Sequence, residues 1–506
     1  MKYKLIGLST VIPLLICAIF AQKAEPAKNR YHQHLESLPK EACTDHGDET
    51  FCTHLPLMNI TTDAPMPDPY LYDENGNRLY NEKGSSLKND EMVSASVQYF
   101  DSQTKNNHLT DDPAVNSRAL IRVRGNSSRS FDKFNYLVKF KQDDMIENLN
   151  VSLSGMTADN SWVLHGPFLD KSLIRNYLCY NLSGEIMDYA PNVRFCELFI
   201  NGEFMGIYLI VEKIDYNKNG RLDITKTDPD LATTSYILRA DRGADDPNYA
   251  LHTFANHAYI TASPNERSCQ LEIIYPASTL TEQQQQFIES DFSRFEKSLF
   301  SFDYNDPQKG YTRYIDTDSF VDYFLINEFT INYDAVDLST YLYKDIGSLL
   351  KMCVWDFNSA FDYYMNSYTN PQTFMLHNRL WYKYLFKDEA FVDQVIERYQ
   401  YLRKTFFNED YLFEYIDGVV DYLGPAIDRN FEKWGYSFNS TYNGNDYDYL
   451  TPAERNVRSH EEAVVQIKET ISQRIIFMDQ NLDRLYSLCH ESVNKKYTHS
   501  KEENFG

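Results

Sequence analysis

Residues 331–361, INYDAVDLSTYLYKDIGSLLKMCVWDFNSAF, set the terms for the rest of this 506-residue chain. Two acids stand there in different settings. Asp334 follows the apolar run FLINEFTINY, and Asp356 lies in VWDF at the end of a strand-like run. Between them STYLYKD and LLKMCVW, rich in β-branched and aromatic residues and parted by Gly347, predict a two-stranded hairpin. Such a hairpin brings both carboxylates to the same end of a small ribbon. A pair so placed suits phosphoryl transfer: one carboxylate orients an attacking hydroxyl and the other holds a divalent metal on the phosphates. The plainer alternative makes Asp334 a turn cap and Asp356 a surface acid beside a buried Trp355.

Composition sets limits on the whole chain. Hydrophobic residues make up 42% and aromatics 15%, with 39 tyrosines, which describes a folded globular chain. A formal net charge of −24 argues against a general nucleic-acid binder, whose backbone contacts demand Lys and Arg. It favours basic protein partners or metal ions. Residues 1–21, with Lys2 and Lys4 ahead of a short apolar run ending near Ala21, predict a secretory signal peptide. No later stretch is apolar and long enough to span a bilayer, so release to the exterior or cell surface is expected. Seven cysteines remain after residue 21. Cys43 and Cys52 are spaced for a short loop disulfide, and the odd total leaves at least one thiol free or bonded between chains. No Cys/His spacing suggests zinc.

Residues 22–55 are polar and read as a linker. From residue 56 come strands and turns, with hairpin signals in DENGN at 73–77 and NEKG at 81–84. The strand Ala119–Arg124 runs into Gly125-Asn126-Ser127-Ser128-Arg129-Ser130, and a second strand spans Tyr136–Phe140. Strand, small polar loop and strand with a lysine is a layout in which backbone N–H groups, hydroxyls and arginines take up phosphate oxygens. An ordinary polar hairpin with a solvated Lys139 has the same signature. A helix is expected from near Asp170 to Leu182, and a hairpin around Asn201-Gly202 with Glu212 ending its second strand. Strands follow at Ser235–Asp241 and Leu271–Tyr275. From Thr281, which forms a capping box with Gln284, the pattern turns helical. Helices are expected at Ser319–Asn332, Glu389–Thr405, Tyr411–Trp434 and Glu461–Leu485. The tail from Cys489 is polar. The GxSxG, HExxH, P-loop, kinase GxGxxG and HRD signatures are absent.

These residues together resemble the spore coat protein H (CotH) kinase family, atypical protein kinases with a strongly remodelled kinase-like fold. Its elements occur in family order between about residues 56 and 488. They are RGNSSR, the D-x-S-x-x-R-N element at Asp170, Arg175 and Asn176, NGEFMGIY with Glu212, NYD, VWDFN with Ala360-Phe361, and Asp428-Arg429-Asn430. The resemblance implies an α+β, two-lobed fold, β-rich to about residue 280 and helical over 281–488. It implies a secreted kinase that uses ATP with Mg²⁺ or Mn²⁺ to phosphorylate Ser or Thr of a secreted, surface or coat protein.

In that reading Asp334 is the catalytic acid and Asp356 a metal ligand, with the Ser339 hydroxyl a weaker second one. Arg124, Asn126, Ser127 and Lys139 contact the nucleotide, with Lys133 a weaker candidate. A Lys139–Glu212 pair is expected by analogy with the lysine–glutamate pair of ordinary kinases, a surface-facing Glu212 near Lys213 or Arg221 being the alternative. Arg175 and Asn176 are expected to be structural. Three departures bear on activity. Ser339 stands where many members carry a metal-serving asparagine, with Asp337 near enough in sequence to compensate, and Asn358 and Asp362 replace the usual Asp and Gly after WDF. A non-catalytic surface, coat or adhesion protein on the same fold is therefore the alternative function.

Overall fold

In the computed structural model, residues 30–490 are described except for 39, 41–50, 82–83, 217–220, 223, 243–246, 258–269, 363–369, 440–449 and 451. The signal-peptide segment, Cys43, Cys269 and most of the polar tail therefore lie outside the described residues. The chain divides into residues 1–31 and 32–506, and every described strand and helix belongs to the second unit.

Alternating strands build its first layer. A two-residue strand β1 (Cys52–Thr53) pairs with β4 (Asn107–His108). The strands β2 (Leu57–Thr62), β3 (Val93–Phe100), β5 (Val115–Arg124), β6 (Asn135–Lys141), β7 (Ser161–His165), β8 (Val193–Ile200) and β9 (Glu203–Glu212) close into a barrel. Its order is β2-β3-β5-β6-β7-β9-β8, antiparallel throughout except for the parallel β2–β8 seam. Closure leaves no open edge among these strands. One side of each strand fills the barrel, as with Val97, Ile121, Val138, Trp162 and Ile210. Across β6 to β9 the other side joins the helical core through Leu137, Val163, Phe195 and Val211. Two-sided burial explains why VRFCELFI, all buried in β8, shows no polar alternation. The β8–β9 turn has Asn201 and Gly202 at φ +53° and +81°, the geometry a two-residue hairpin favours.

A second sheet contains β10 (Tyr236–Asp241), β11 (Ala250–Leu251), β12 (Gln270–Tyr275), β13 (Thr340–Lys344) and β14 (Lys351–Cys353), in the order β11-β12-β10-β13-β14. The expected 331–361 hairpin is thus present, with Tyr341 opposite Cys353. It joins strands from before residue 280, so the change in pattern there is not a break between separately built halves.

Besides one-turn helices at Phe254–His257 and Tyr382–Leu385, the α-helices among the described residues are α1 (Gln33–Glu36), α2 (Arg175–Ile186), α3 (Glu282–Phe300), α4 (Thr317–Phe329), α5 (Glu389–Arg403), α6 (Glu409–Leu423), α7 (Pro425–Trp434) and α8 (His460–Asn481). Thr281 and Gln284 form the expected capping box. The helix expected over 411–434 is two. Gly424, at φ +44°, ends α6, and Pro425 starts α7, where its missing N–H costs nothing. The helix expected near Asp170 starts later, at Arg175, because Leu173 sits at φ +64°.

Part of the segment read as a linker has a fixed seat. Gln33 exchanges two hydrogen bonds with the backbone of Phe195, and His32 binds Tyr415 and Glu185. Cys52 is disulfide-bonded, while Cys179, Cys196, Cys353 and Cys489 are free. Among the described residues no helix is long and apolar enough to cross a membrane.

Candidate active site

Where the mouth of the barrel meets the second sheet, a cleft of about 840 Å³ opens. Arg124 at the end of β5, Asn126 and Ser127 of the loop, Asp241 at the end of β10, and Asp334, Ser339, Trp355 and Asp356 all line it. The hairpin therefore does bring the two distant carboxylates into one space.

Asp356 is fixed by its backbone. Its N–H donates to the Tyr180 hydroxyl at 3.0 Å, and its carbonyl accepts from Asn332 Nδ2 at 3.2 Å. Asn176 Oδ1 takes the Phe357 N–H at 2.9 Å, and Asn176 Nδ2 donates to Asn358 Oδ1 at 2.7 Å. Arg175 donates to the Ala360 carbonyl at 3.0 Å and pairs with Asp170 at 2.5 Å. The D-x-S-x-x-R-N element is thus the clamp on the WDFN loop. Asp362, where the resemblance led to an expectation of glycine, sits at φ +61° and is held by Arg455 at 2.9 Å.

This region concentrates backbone strain. Ile331, Val336, Ser339, Asp356, Phe361 and Asp362 all have positive φ. Each such residue costs on the order of 1–3 kcal/mol, and β-branched Val336, at φ +76°, is especially disfavoured. Val336 is held because its N–H donates to Thr340 Oγ1 at 2.9 Å, closing the turn after Asp334. Asp334 itself accepts from Ser359 Oγ at 3.1 Å.

The electrostatics are those of a site with charges left open. Burial pushes the Asp356 carboxyl up to about 6; Asp334 and Asp241 push the same way, and the Asn358 N–H and Arg124 only partly offset them. The Arg124 guanidinium lies 5.6 Å from the Trp355 ring, and its side chain has no hydrogen-bond or ion-pair partner among the described residues. Burial depresses its pKa, with Arg239 adding to the effect. A half-buried cation without a partner is suited to an anionic ligand. The loop after it is compact. Gly125 has φ +111°, and a Cβ there would lie 2.0 Å from Ser128 Oγ. Arg129 is the anchor, donating to the carbonyls of Gly125, Pro69 and Asn89 and pairing with Asp90.

Other candidates lie elsewhere. Lys139 is not among the residues lining the cleft. It stands opposite Leu120 and Ser161, one step out of phase with the row Val138–Trp162–Glu212, and so points to the other side of the sheet from Glu212. Glu212 is fully buried, accepts two bonds from Asn192 and faces Arg221 at 3.5 Å, so the Lys139–Glu212 pair is not formed. Lys133 is buried and donates to Asn430 at 2.7 Å. Arg429 pairs with Glu197, so the Asp428-Arg429-Asn430 element docks α7 on the barrel. Gly206, whose Cβ would meet Asn430 Oδ1 at 2.5 Å, permits that approach. Asp337 is buried and faces Arg379 at 3.5 Å, away from the cleft.

Sequence reasoning missed Arg239, Asp241, His165 and Tyr180 as cleft residues. The spacing of Arg239 and Asp241 on one strand puts them on one face, but only the pairing of Arg239 with Tyr341 shows which face that is.

Among the described residues no three His, Cys, Asp or Glu side chains are grouped to hold a metal by themselves. Asp356, with Asp334 and the Ser339 hydroxyl nearby, fits a hard divalent cation that completes its sphere with phosphate oxygens and water. Such a cation would also relieve the repulsion between the two carboxylates.

The sequence pattern of the CotH kinase protein family matches residues 121–478, and the chain belongs to that family. The chain is similar to the Inner spore coat protein H of Bacillus subtilis (strain 168), 24% identical over 263 residues, which is 49% of this chain and 63% of that protein. It thus spans less than two thirds of that relative's length. Strands β2 and β3, which complete the barrel, precede the matched region.

Proposed function

We propose that this chain is a secreted protein kinase that transfers the γ-phosphoryl group of ATP to Ser or Thr of a surface or coat protein, on a remodelled two-lobed kinase-like fold. The observation that carries the reading is the meeting of Asp334, Asp356 and a partnerless Arg124 in one cleft. Family membership and the coat name of the relative support it.

ATP with Mg²⁺ or Mn²⁺ supplies the phosphoryl donor and the charge that screens it. Asp334 orients the acceptor hydroxyl and takes its proton, its own carboxylate kept in place by Ser359. Asp356 holds the divalent cation, on a loop that Asn176, Tyr180 and Asn332 keep rigid. Arg124 grips phosphate oxygens, and the Asn126-Ser127 backbone lies beside it. The acidic surface suits a basic acceptor protein.

A second reading, a nucleotide-binding or adhesive protein without turnover, is favoured by Ser339 where an amide would bind a second metal. Labelled ATP with Mg²⁺ or Mn²⁺, given to the mature chain, separates the two. Incorporation into protein that disappears in Asp334→Ala and Asp356→Ala establishes the kinase. A metal-dependent thermal shift with ATP that needs Asp356, without any incorporation, establishes the binder.

A further inference from the structure

One element of the cleft wall belongs to neither sheet. Residues 70–81 and 84–88 fold back as a narrow ribbon joined by the isolated bridges Tyr70–Lys88, Tyr72–Arg78 and Tyr80–Ser86 and by Arg78 over the Tyr70 ring. Its Leu71, Tyr72, Leu79 and Tyr80 are exposed, so little apolar burial holds it down. It is tied at its base, where Arg129 grips the Pro69 and Asn89 carbonyls and Tyr70 bonds Ser130. Farther out, Ser85 and Ser86 line the same cleft as Asp334 and Asp356. Neither hydroxyl has a hydrogen-bond partner among the described residues. Lys88 and Arg122 stand on the same wall.

We propose that Ser86, with Ser85 beside it, is a self-modification site phosphorylated within the same chain, an inference that rests on the kinase reading above. A bond forms between the serine Oγ and the γ-phosphorus while the bond from that phosphorus to the β-phosphate oxygen breaks. The electron pair leaves with the nucleoside diphosphate, and the hydroxyl proton passes to Asp334. The product is a dianion beside Lys88 and Arg122, which draw it to the wall where the nucleotide phosphates would sit.

The full chain is incubated with labelled ATP and Mg²⁺ or Mn²⁺ over a range of protein concentrations, with dephosphorylated casein as an added acceptor. The expected result is label on residues 84–88 by peptide mapping, at a rate per chain independent of concentration. The double variant Ser85→Ala/Ser86→Ala loses self-incorporation by about tenfold or more and still labels casein. Unchanged self-incorporation in that variant, or casein labelled without any self-labelling, overturns the self-modification site and leaves the kinase reading intact. Neither self nor casein labelled by the wild type overturns the kinase reading, and the site with it.

Discussion

Two charge clusters flank the WDFN loop, and they are finished differently. Behind it, Asp170 accepts from the Ser172 and Arg175 N–H groups and from Arg175 Nη1, while Arg175 also reaches Ala360 and Gln466. Burial alone would raise the Asp170 carboxyl, but Arg175 and Ser172 outweigh it and leave it below the usual range. In front, Asp356 and Asp334 repel each other, and Arg124 has no partner. A structural cluster closes on itself, whereas a binding cluster leaves donors and charges for something not yet there.

Arg175→Ala should disturb that contrast most. It strands a buried carboxylate and frees the loop, so a loss of about 3–5 kcal/mol in urea unfolding is expected. A loss under about 1 kcal/mol would mean the pair is no clamp. Asp334→Asn should leave the fold intact and, by relieving the repulsion on Asp356, slightly harder to unfold, while phosphoryl transfer drops by about 10²–10⁴, read as initial rates.

Asp356→Asn should do the opposite of Arg175→Ala. The folded carboxyl titrates near 6 against 3.8 ordinarily, so the folded chain binds more protons over that interval and stability falls as pH rises through it. The penalty is complete above pH 6 and reaches up to about 3 kcal/mol, so the metal-free Asn variant should melt higher at pH 7. A lower melting temperature would contradict the open-charge picture.

The same titration predicts that Mg²⁺ stabilisation weakens below pH 6, by about tenfold in apparent affinity per pH unit, measured by thermal shift against metal concentration. The smallest effect is Ser339→Asn, expected to tighten divalent-metal binding by a few-fold, on the order of 1 kcal/mol or less.

What the sequence made legible was local. The 331–361 hairpin, the Asn201-Gly202 turn and the capping box at Thr281 each depend on neighbours within a few residues, and all are present. The Gly424-Pro425 break was equally local, yet apolar periodicity continuing on both sides masked it. Lys139 and Glu212 show where such reading runs out. Each sits on the expected strand, but facing is set by register across β6, β7 and β9, and one step of phase separates them. Arg239, Asp241 and Tyr180 reach the cleft only through long-range packing that no short window reveals. The role of Arg129 is similar, since its partners lie about forty to sixty residues upstream.

The seat of α1 has a consequence for biosynthesis. His32, among the first of the described residues to leave the ribosome, binds Tyr415, 383 residues later. The barrel also waits, since β2 cannot close its seam until β8 has emerged. A nascent chain of this design can seat residues 32 and 33 on the barrel early, through Glu185 and Phe195, but completes that seat only when α6 has been made.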